Sequence, residues 1–260
     1  QAELEKHGIR SELRIIKTKG DATQAWNLSF DKLEGKGFFT KELEDALLSG
    51  EIDLAVHSCK DLPTENPAGL TVAAYSKRAN PFDVLLLRPD RADPKQLFSL
   101  PHGAVVGTSS ARRKAQMLAF RSDIDIRDLR GNVPTRIQKL RDGQYDAILL
   151  AKAGINRLQL PLDDLVSVPL GAPMFIPAPA QGVLAFQVRS SDAEMLAVVS
   201  VLNDAGSASI AETERRLLHD FEGGCQMPLG VFASRKQDRL HLWISQAAAC
   251  VARARSASST

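Results

Sequence analysis

The order of apolar and polar positions predicts a chain that alternates strands with helices. Short runs rich in Val, Ile and Leu, bounded by Gly, Pro or polar residues, are typical of strands. They lie at 12–17, 52–56, 70–74, 83–87, 104–106, 124–127, 147–151 and 183–188. Helical spacing of the apolar positions predicts helices over 40–49, 111–120, 135–141, 193–202 and 210–221. This alternation is typical of α/β architecture with largely parallel sheets.

Two strand–helix series of similar size follow one another, and the second begins after the turn at Asn80-Pro81. The proline-rich stretch 169–179 predicts an extended segment, because proline fixes φ and lacks a backbone donor. A helix, a glycine-rich loop and two short antiparallel strands, 229–233 and 240–244, complete the chain. We therefore expect two similar α/β domains and a third, small α+β unit.

Composition changes this picture little. The chain has 260 residues, 44% of them hydrophobic and 25% charged, with a net charge of +2, which is ordinary for a globular protein of two or three domains. Aromatic residues make up only 5% and do not alternate with basic ones, which argues against a nucleic-acid partner. No apolar run approaches the roughly 20 residues of a membrane helix, so no membrane partner is expected.

The three cysteines, Cys59, Cys225 and Cys250, are widely spaced and odd in number. That spacing suits neither a disulfide framework nor a zinc site, and we predict no metal. Free thiols are typical of a reducing compartment, so a cytoplasmic location is expected, with an organelle as the alternative.

Polar segments follow three of the predicted strands, at 57–63, 107–110 and 128–132. Ligands of α/β sheets bind at the carboxyl ends of strands. The second segment leads into a helix that opens with Arg112 and Arg113, and backbone amides and guanidinium groups there suit an anion. One such segment alone is better explained by helix capping and solvated arginines. All three together favour a site for a ligand with several anionic groups.

Residue chemistry alone does not decide the role of two further features. Lys60-Asp61 lies at a strand end, where such a pair is most often structural. Among arginines, however, Asp61 could stabilise a developing cation or relay a proton. Cys225 follows two glycines, which would allow close approach of a ligand, although a lone cysteine is more often a buried small apolar residue.

Six blocks of the sequence resemble the porphobilinogen deaminase family. They are GKGFFTKELE (35–44), HSCKDLPTE (57–65), GTSSARR (107–113), LRGNVPTR (129–136), PAQG (179–182) and EGGCQMPLG (222–230). The blocks occur in the family's order and span most of the chain, so chance agreement of all six is not credible.

The resemblance implies two periplasmic-binding-protein-like (type II) α/β domains with mixed, mainly parallel sheets, plus a small C-terminal α+β domain. On that basis we expect domain 1 over 1–78 and 177–203, domain 2 over 79–176, and domain 3 over 204–260. The implied activity belongs to tetrapyrrole (haem) biosynthesis. Four porphobilinogen molecules condense stepwise with loss of ammonia, and water releases hydroxymethylbilane.

The resemblance also implies roles for particular residues. The family carries a dipyrromethane cofactor, made from substrate, in thioether linkage to the cysteine matching Cys225, and Asp61 matches the catalytic aspartate. Arg136 and Arg157 match substrate-binding arginines, and the cofactor contacts match Lys60, Ser110, Arg112, Arg113, Arg130 and Gln181. Lys36 and Phe39 match a mobile loop near the active site.

The implied chemistry is physically coherent. Each added pyrrole brings two carboxylates, so a growing chain needs an arginine-lined site to offset the mounting repulsion. Asp61 has to remain ionised if it is to favour a cation there. Covalent tethering makes each new condensation effectively intramolecular.

The sequence departs from the family's pattern in two places. The family's Arg-x-Ser-x-Leu-Ala segment has no counterpart in the printed sequence, which begins Gln1-Ala2-Glu3-Leu4, and Cys59 stands where methionine is usual. Two alternatives follow: a catalytically impaired member of the family, or a two-domain anion- or solute-binding protein. The latter would need neither Cys225 nor Asp61. A monomer that binds porphobilinogen is the expected state.

Overall fold

The computed structural model describes residues 1–16, 40–221, 227–237 and 239–247. Lys36, Phe39, Cys225 and Cys250 therefore lie outside the described residues. The described helices are α1 (Ala2–Lys6), α2 (Lys41–Leu48), α3 (Ala111–Phe120), α4 (Val133–Arg141), α5 (Lys152–Leu158), α6 (Ala193–Ser200) and α7 (Ala205–Asp220). The described strands are β1 (Ala55–Ser58), β2 (Leu70–Tyr75), β3 (Asp83–Leu87), β4 (Val105–Gly107), β5 (Asp125–Arg127), β6 (Ala147–Ala151), β7 (Val166–Leu170), β8 (Leu184–Arg189), β9 (Leu229–Lys236) and β10 (Arg239–Gln246).

A five-stranded sheet with the order β5-β4-β6-β3-β7 forms the middle of the chain. Its strands β3 and β6 are almost wholly apolar because both faces of the sheet are covered. On one face, Leu85 and Leu87 of β3 pack with Met117 of α3. On the other face, residues of β3 and β6 pack with Ile137 and Leu140 of α4. The helices that bear the predicted site arginines are thus fixed to this sheet by its core.

A second sheet has three strands in the order β1-β8-β2. Its central strand, β8, comes from a distant part of the chain and pairs antiparallel with both neighbours. Two segments therefore cross between the sheets: 76–82 leads from β2 to β3, and 171–183 leads from β7 back to β8. We call these the outgoing and the returning crossing segments.

The two crossing segments touch at Gly182. Its carbonyl oxygen accepts a hydrogen bond of 3.0 Å from the amide of Ala79. Gly182 has a φ of +93°, and a Cβ at this position would lie 2.7 Å from the Ala79 carbonyl oxygen. Only glycine fits here without moving backbone, so the close approach of the two segments depends on it.

The remaining described strands, β9 and β10, form an antiparallel hairpin that packs against α7. Leu229 and Val231 of β9 share a small core with Leu218 of α7. The domain limits expected from the sequence stay a prediction. No helix within the described ranges is both long and apolar enough to cross a membrane.

The predicted α/β class is confirmed, as are α3 and the strands at 83–87 and 147–151 at their predicted limits. Parallel pairing is less frequent than expected: of the seven described strand pairs, only β4–β5 and β4–β6 are parallel. The reason lies in the crossing segments, since β3 and β8 enter their sheets through them and run against their neighbours. The described part of the predicted strand at 12–17 forms no strand.

We expect Gly182→Ala to lower the free energy of unfolding by about 2–4 kcal/mol, because it adds left-handed strain and a backbone clash at once. Gly103→Ala is the matched control. Gly103 has a φ of +69° but nothing within 4 Å of an added Cβ, so only the strain of about 1 kcal/mol remains. Urea or thermal unfolding followed by circular dichroism measures both. Equal losses in the two variants would show that the crossing segments tolerate a side chain here.

Candidate active site

Asp83, the first residue of β3, lies at the centre of a buried polar cluster. Its Oδ1 accepts hydrogen bonds from Arg113, at 2.7 Å from Nη2 and 3.2 Å from Nε. Its Oδ2 lies 2.8 Å from Nη1 of Arg112. Gln181 of the returning crossing segment donates from Nε2 to Oδ1 at 2.9 Å. One carboxylate thus joins β3, α3 and the crossing segment.

Burial alone would raise the pKa of Asp83, but the adjacent guanidinium groups of Arg112 and Arg113 outweigh it and hold that pKa well below its usual range. Asp83 is therefore ionised at neutral pH. The sequence analysis took Asp83 only as the start of a strand. An aspartate leading directly into four apolar residues was the available signal.

Arg112 and Arg113 are themselves buried, at 4% and 6% exposure. Arg112 also donates to the carbonyl oxygen of Ile176 at 2.7 Å, and Arg113 donates to that of Leu149 at 3.1 Å. Two guanidinium groups against the one carboxylate of Asp83 leave one net positive charge in the cluster. A buried excess of positive charge favours an anionic ligand.

Two more cations border this cluster. The pKa of Lys60 is lowered by burial and, against the opposing effect of Asp61, by the charges of Arg113 and Arg112. The pKa of Arg136 is lowered to about 10 by burial and by Arg113. For both residues burial is the largest cause of the shift, and the charge of Arg113 adds to it. A carboxylate bound beside them would raise both pKa values.

The turn bearing Lys60 and Asp61 follows β1 directly as a short 3-10 helix, Cys59–Asp61. Lys60 is half-buried, and its Nζ lies 3.5 Å from Oε1 of Gln181, whereas Asp61 is exposed. The structure therefore places Lys60 and Gln181 together beside Asp83. Asp61 stands at the solvent-facing edge of the same cluster.

The hydroxyl groups before α3 serve local structure. Ser110 caps the helix by accepting from the amide of Arg113 at 3.4 Å, and Thr108 accepts from the amide of Ser110 at 3.2 Å. Ser109 exchanges hydrogen bonds of 3.0 Å with the backbone of Leu129. The predicted cofactor contact of Ser110 stays a prediction.

The other predicted arginines lie on or near α4 and α5. Arg136 donates to the carbonyl oxygen of Gly131 at 2.6 Å, which bends its side chain over the loop before α4. Arg130 is half-buried in that loop. Arg157 is exposed and donates to the carbonyl oxygen of Gly182 at 2.7 Å, so it reaches the returning crossing segment rather than the Asp83 cluster.

Glu214 of α7 is a second buried carboxylate that the sequence analysis missed. It pairs with Arg78 at 2.8 and 3.0 Å and accepts 2.6 Å hydrogen bonds from the amides of Ala180 and Ala233. Burial raises the pKa of Glu214 despite the opposing charge of Arg78. Glu214 thereby links α7, the returning crossing segment next to Gln181, and β9.

The fold and this site define an α/β protein whose arginine-rich site, between strand ends and crossing segments, suits an anionic ligand. The chain belongs to the porphobilinogen deaminase family. The family model for the porphobilinogen deaminase, dipyromethane cofactor binding domain matches residues 1–197. The model for the porphobilinogen deaminase C-terminal domain matches residues 208–252. Dipyrromethane is the cofactor of this family, and its members are transferases of tetrapyrrole biosynthesis.

Similar proteins from several bacteria are named porphobilinogen deaminase. The chain is 48% identical over 235 residues to the porphobilinogen deaminase of Nitratiruptor sp., covering 90% of this chain and 73% of the relative. It is 45% identical over 223 residues to that of Brevibacillus brevis, covering 86% and 70%. Among solved structures, the BvgS periplasmic VFT2 domain of Bordetella pertussis matches with a TM-score of 0.40 and 17% identity, covering 70% of this chain and 72% of that one. A TM-score of this size adds nothing to the fold assignment, which rests on the sheets.

We expect Asp83→Asn to cost about 3–5 kcal/mol of unfolding free energy, because it leaves two buried guanidinium groups without a counter-charge. Asp90→Asn is the control, since Asp90 pairs with Arg88 at 2.6 Å with 60% of its side chain exposed, and such pairs contribute about 0–1 kcal/mol. Urea unfolding at pH 7 measures both. Similar losses in the two variants would contradict the central role of Asp83.

The Asp83→Asn variant also gives a pH test. The folded-state pKa of Asp83 lies below the unfolded value of about 4, so its stabilisation is complete above pH 4 or so and is lost as the pH falls further. Unfolding free energies measured from pH 7 down to about pH 3 should therefore fall less steeply in Asp83→Asn than in the wild type. If the unfolding free energies of the variant and the wild type fell equally steeply with pH, Asp83 would not be held ionised by its neighbours.

Proposed function

We propose that this protein is a hydroxymethylbilane synthase: it condenses four porphobilinogen molecules in turn, with loss of ammonia, and releases the linear tetrapyrrole by hydrolysis. The observation that carries the proposal is the positive excess around Asp83, with Asp61 exposed at its edge, in a chain of this family. The substrate and every intermediate carry carboxylates. A site with more cations than anions is what such a chain requires.

The donor set fits a dipyrromethane. Its acetate and propionate groups suit Lys60, Arg130 and Arg136, which are half-buried rather than fully enclosed. The attachment point that we propose, Cys225, lies outside the described residues, five positions after α7 ends at Asp220. When bound, the cofactor supplies the pyrrole to which the substrates are added.

The other residues act as binders and as an electrostatic stabiliser. We propose that Arg112 and Arg113, fixed by Asp83, give the site its positive field, and that Ser110 and Gln181 contact the cofactor. Arg136 and Arg157 would bind substrate carboxylates, with Lys36 and Phe39 on a neighbouring loop. Asp61 would stabilise the cation that develops on the substrate as its amino group leaves as ammonia.

We also propose that the protein is a cytoplasmic monomer. Its three widely spaced cysteines suit a reducing compartment. A solute-binding protein remains the less favoured alternative, because such a protein has no use for Cys225 and Asp61.

Intact mass spectrometry tests the cofactor. We expect the wild-type protein to carry a mass excess equal to two linked pyrrole units and Cys225→Ser to lack it, with Cys59→Ser as the matched thiol control that keeps the excess. An unmodified wild-type protein that also takes up no mass from added porphobilinogen would contradict the proposed function.

Steady-state assays test Asp61. Asp61→Asn should keep the cofactor mass and fold normally, but its kcat should fall by about 10²- to 10⁴-fold, because a neutral amide no longer stabilises the developing cation. Asp142→Asn, which removes an exposed carboxylate at the end of α4, serves as the control. Turnover of Asp61→Asn within about twofold of the control would remove Asp61 from the catalytic role.

A further inference from the structure

The turn that bears Asp61 is anchored in the core by Cys59, which is fully buried. It is only three residues long, Cys59–Asp61, and it follows a strand of four residues. Its described backbone hydrogen bonds are one of 3.0 Å from the Cys59 amide to Val183 and one of 3.3 Å within the turn, from Leu62 to Cys59. Besides these bonds, the turn has a side-chain partner on another element.

That partner is Arg215 of α7. Its Nη1 donates to the carbonyl oxygens of Cys59, at 3.2 Å, and Leu62, at 3.1 Å. Its Nη2 donates to the carbonyl oxygen of Pro63 at 2.5 Å. Three carbonyl groups flanking Asp61 therefore converge on one guanidinium group. The planar fork of arginine suits this convergence, whereas the single ammonium of lysine does not.

The position of Arg215 on α7 places it next to Glu214, which holds a second segment of the site. The preceding residue, Glu214, binds the amide of Ala180 next to Gln181. Glu214 and Arg215, two consecutive residues of α7, thus hold the returning crossing segment and the Asp61 turn. The side chains of these two segments approach each other where Lys60 lies 3.5 Å from Gln181. The same helix leads into the segment that contains Cys225. One helix therefore fixes the Asp61 turn relative to the returning crossing segment.

We propose that Arg215 is a positioning residue that fixes Asp61 for the chemical step. The proposal rests on the proposed function. The hydrogen bonds of Arg215 within the described residues go to backbone carbonyl groups of the segment that bears Asp61. A displacement of about 1 Å at a reacting centre can cost about 100-fold in rate, so loss of this hold should lower kcat. Substrate binding by the arginines on α3 and α4 should be unaffected.

A double-mutant cycle between Arg215→Met and Asp61→Asn tests this proposal. Arg215→Met alone should keep the cofactor mass and lower kcat by about 10- to 100-fold, with KM changed less than about twofold. In the Asp61→Asn background the same substitution should lower kcat by less than about twofold, because the group that it positions is already absent. Equal losses in both backgrounds would show a general structural role and overturn the proposal.

Arg216→Met is the matched control. Arg216 is the next residue of the helix, with 80% of its side chain exposed and a 3.7 Å contact to Asp220. Its variant should behave as the wild type. Should Arg215→Met not fold, Arg215→Lys replaces it, since it keeps the charge but not the fork. Full activity in Arg215→Lys would overturn the proposal, and a kcat between those of wild type and the Asp61→Asn variant would support it.

Alkylation of Cys59 gives a readout that needs neither cofactor nor turnover. Cys59, the first residue of the turn, is fully buried, and burial raises the pKa of its thiol to about 11, so iodoacetamide reaches it only when the turn opens. Peptide mapping separates Cys59 from the other two cysteines. Iodoacetamide should alkylate Cys59 about tenfold faster in Arg215→Met than in Arg216→Met. Equal labelling rates would show that Arg215 does not hold the turn, even if the wild-type protein failed to condense porphobilinogen.

Discussion

A buried carboxylate shared by two guanidinium groups is the constraint from which the site follows. Asp83 is 2% exposed and contacts Arg112, Arg113 and Gln181 within 3.2 Å. Removing three charges from water is costly, and the arrangement persists because hydrogen bonds satisfy the charged groups from several sides. The positive charge that remains suits a ligand that carries carboxylates.

The geometry around Asp83 is set by segments that are remote in sequence. The crossing segments bring Gln181 to within hydrogen-bonding distance of a strand start 98 residues earlier. The close contact at Gly182 and the ion pair of Glu214 with Arg78 fix those segments against α7 and β9. Packing, buried charge and a glycine without a side chain thus act together. A change in any one of them would reach the site through the backbone.

Local sequence patterns predicted most of the helices and strands. Apolar runs at 83–87 and 147–151 became strands at those limits, because they fill the middle of a sheet that is covered on both faces. The helix 111–120 begins directly after Ser110, whose hydroxyl group caps it. The pattern missed α5, which follows β6 without an intervening turn signal. It also overestimated parallel pairing, since strand direction depends on how the chain crosses between sheets.

By itself the sequence determined the α/β class, the six family blocks, and the residue types that a carboxylate-rich ligand requires. It could not reveal that Arg112 and Arg113 share Asp83, that Glu214 joins three elements, or that Arg215 binds the Asp61 turn. These partners are separated by 19 to 156 residues along the chain. Pattern and propensity act over a few residues, whereas the choice of partner for a buried charge depends on which groups folding removes from water together. Only the tertiary structure decides that.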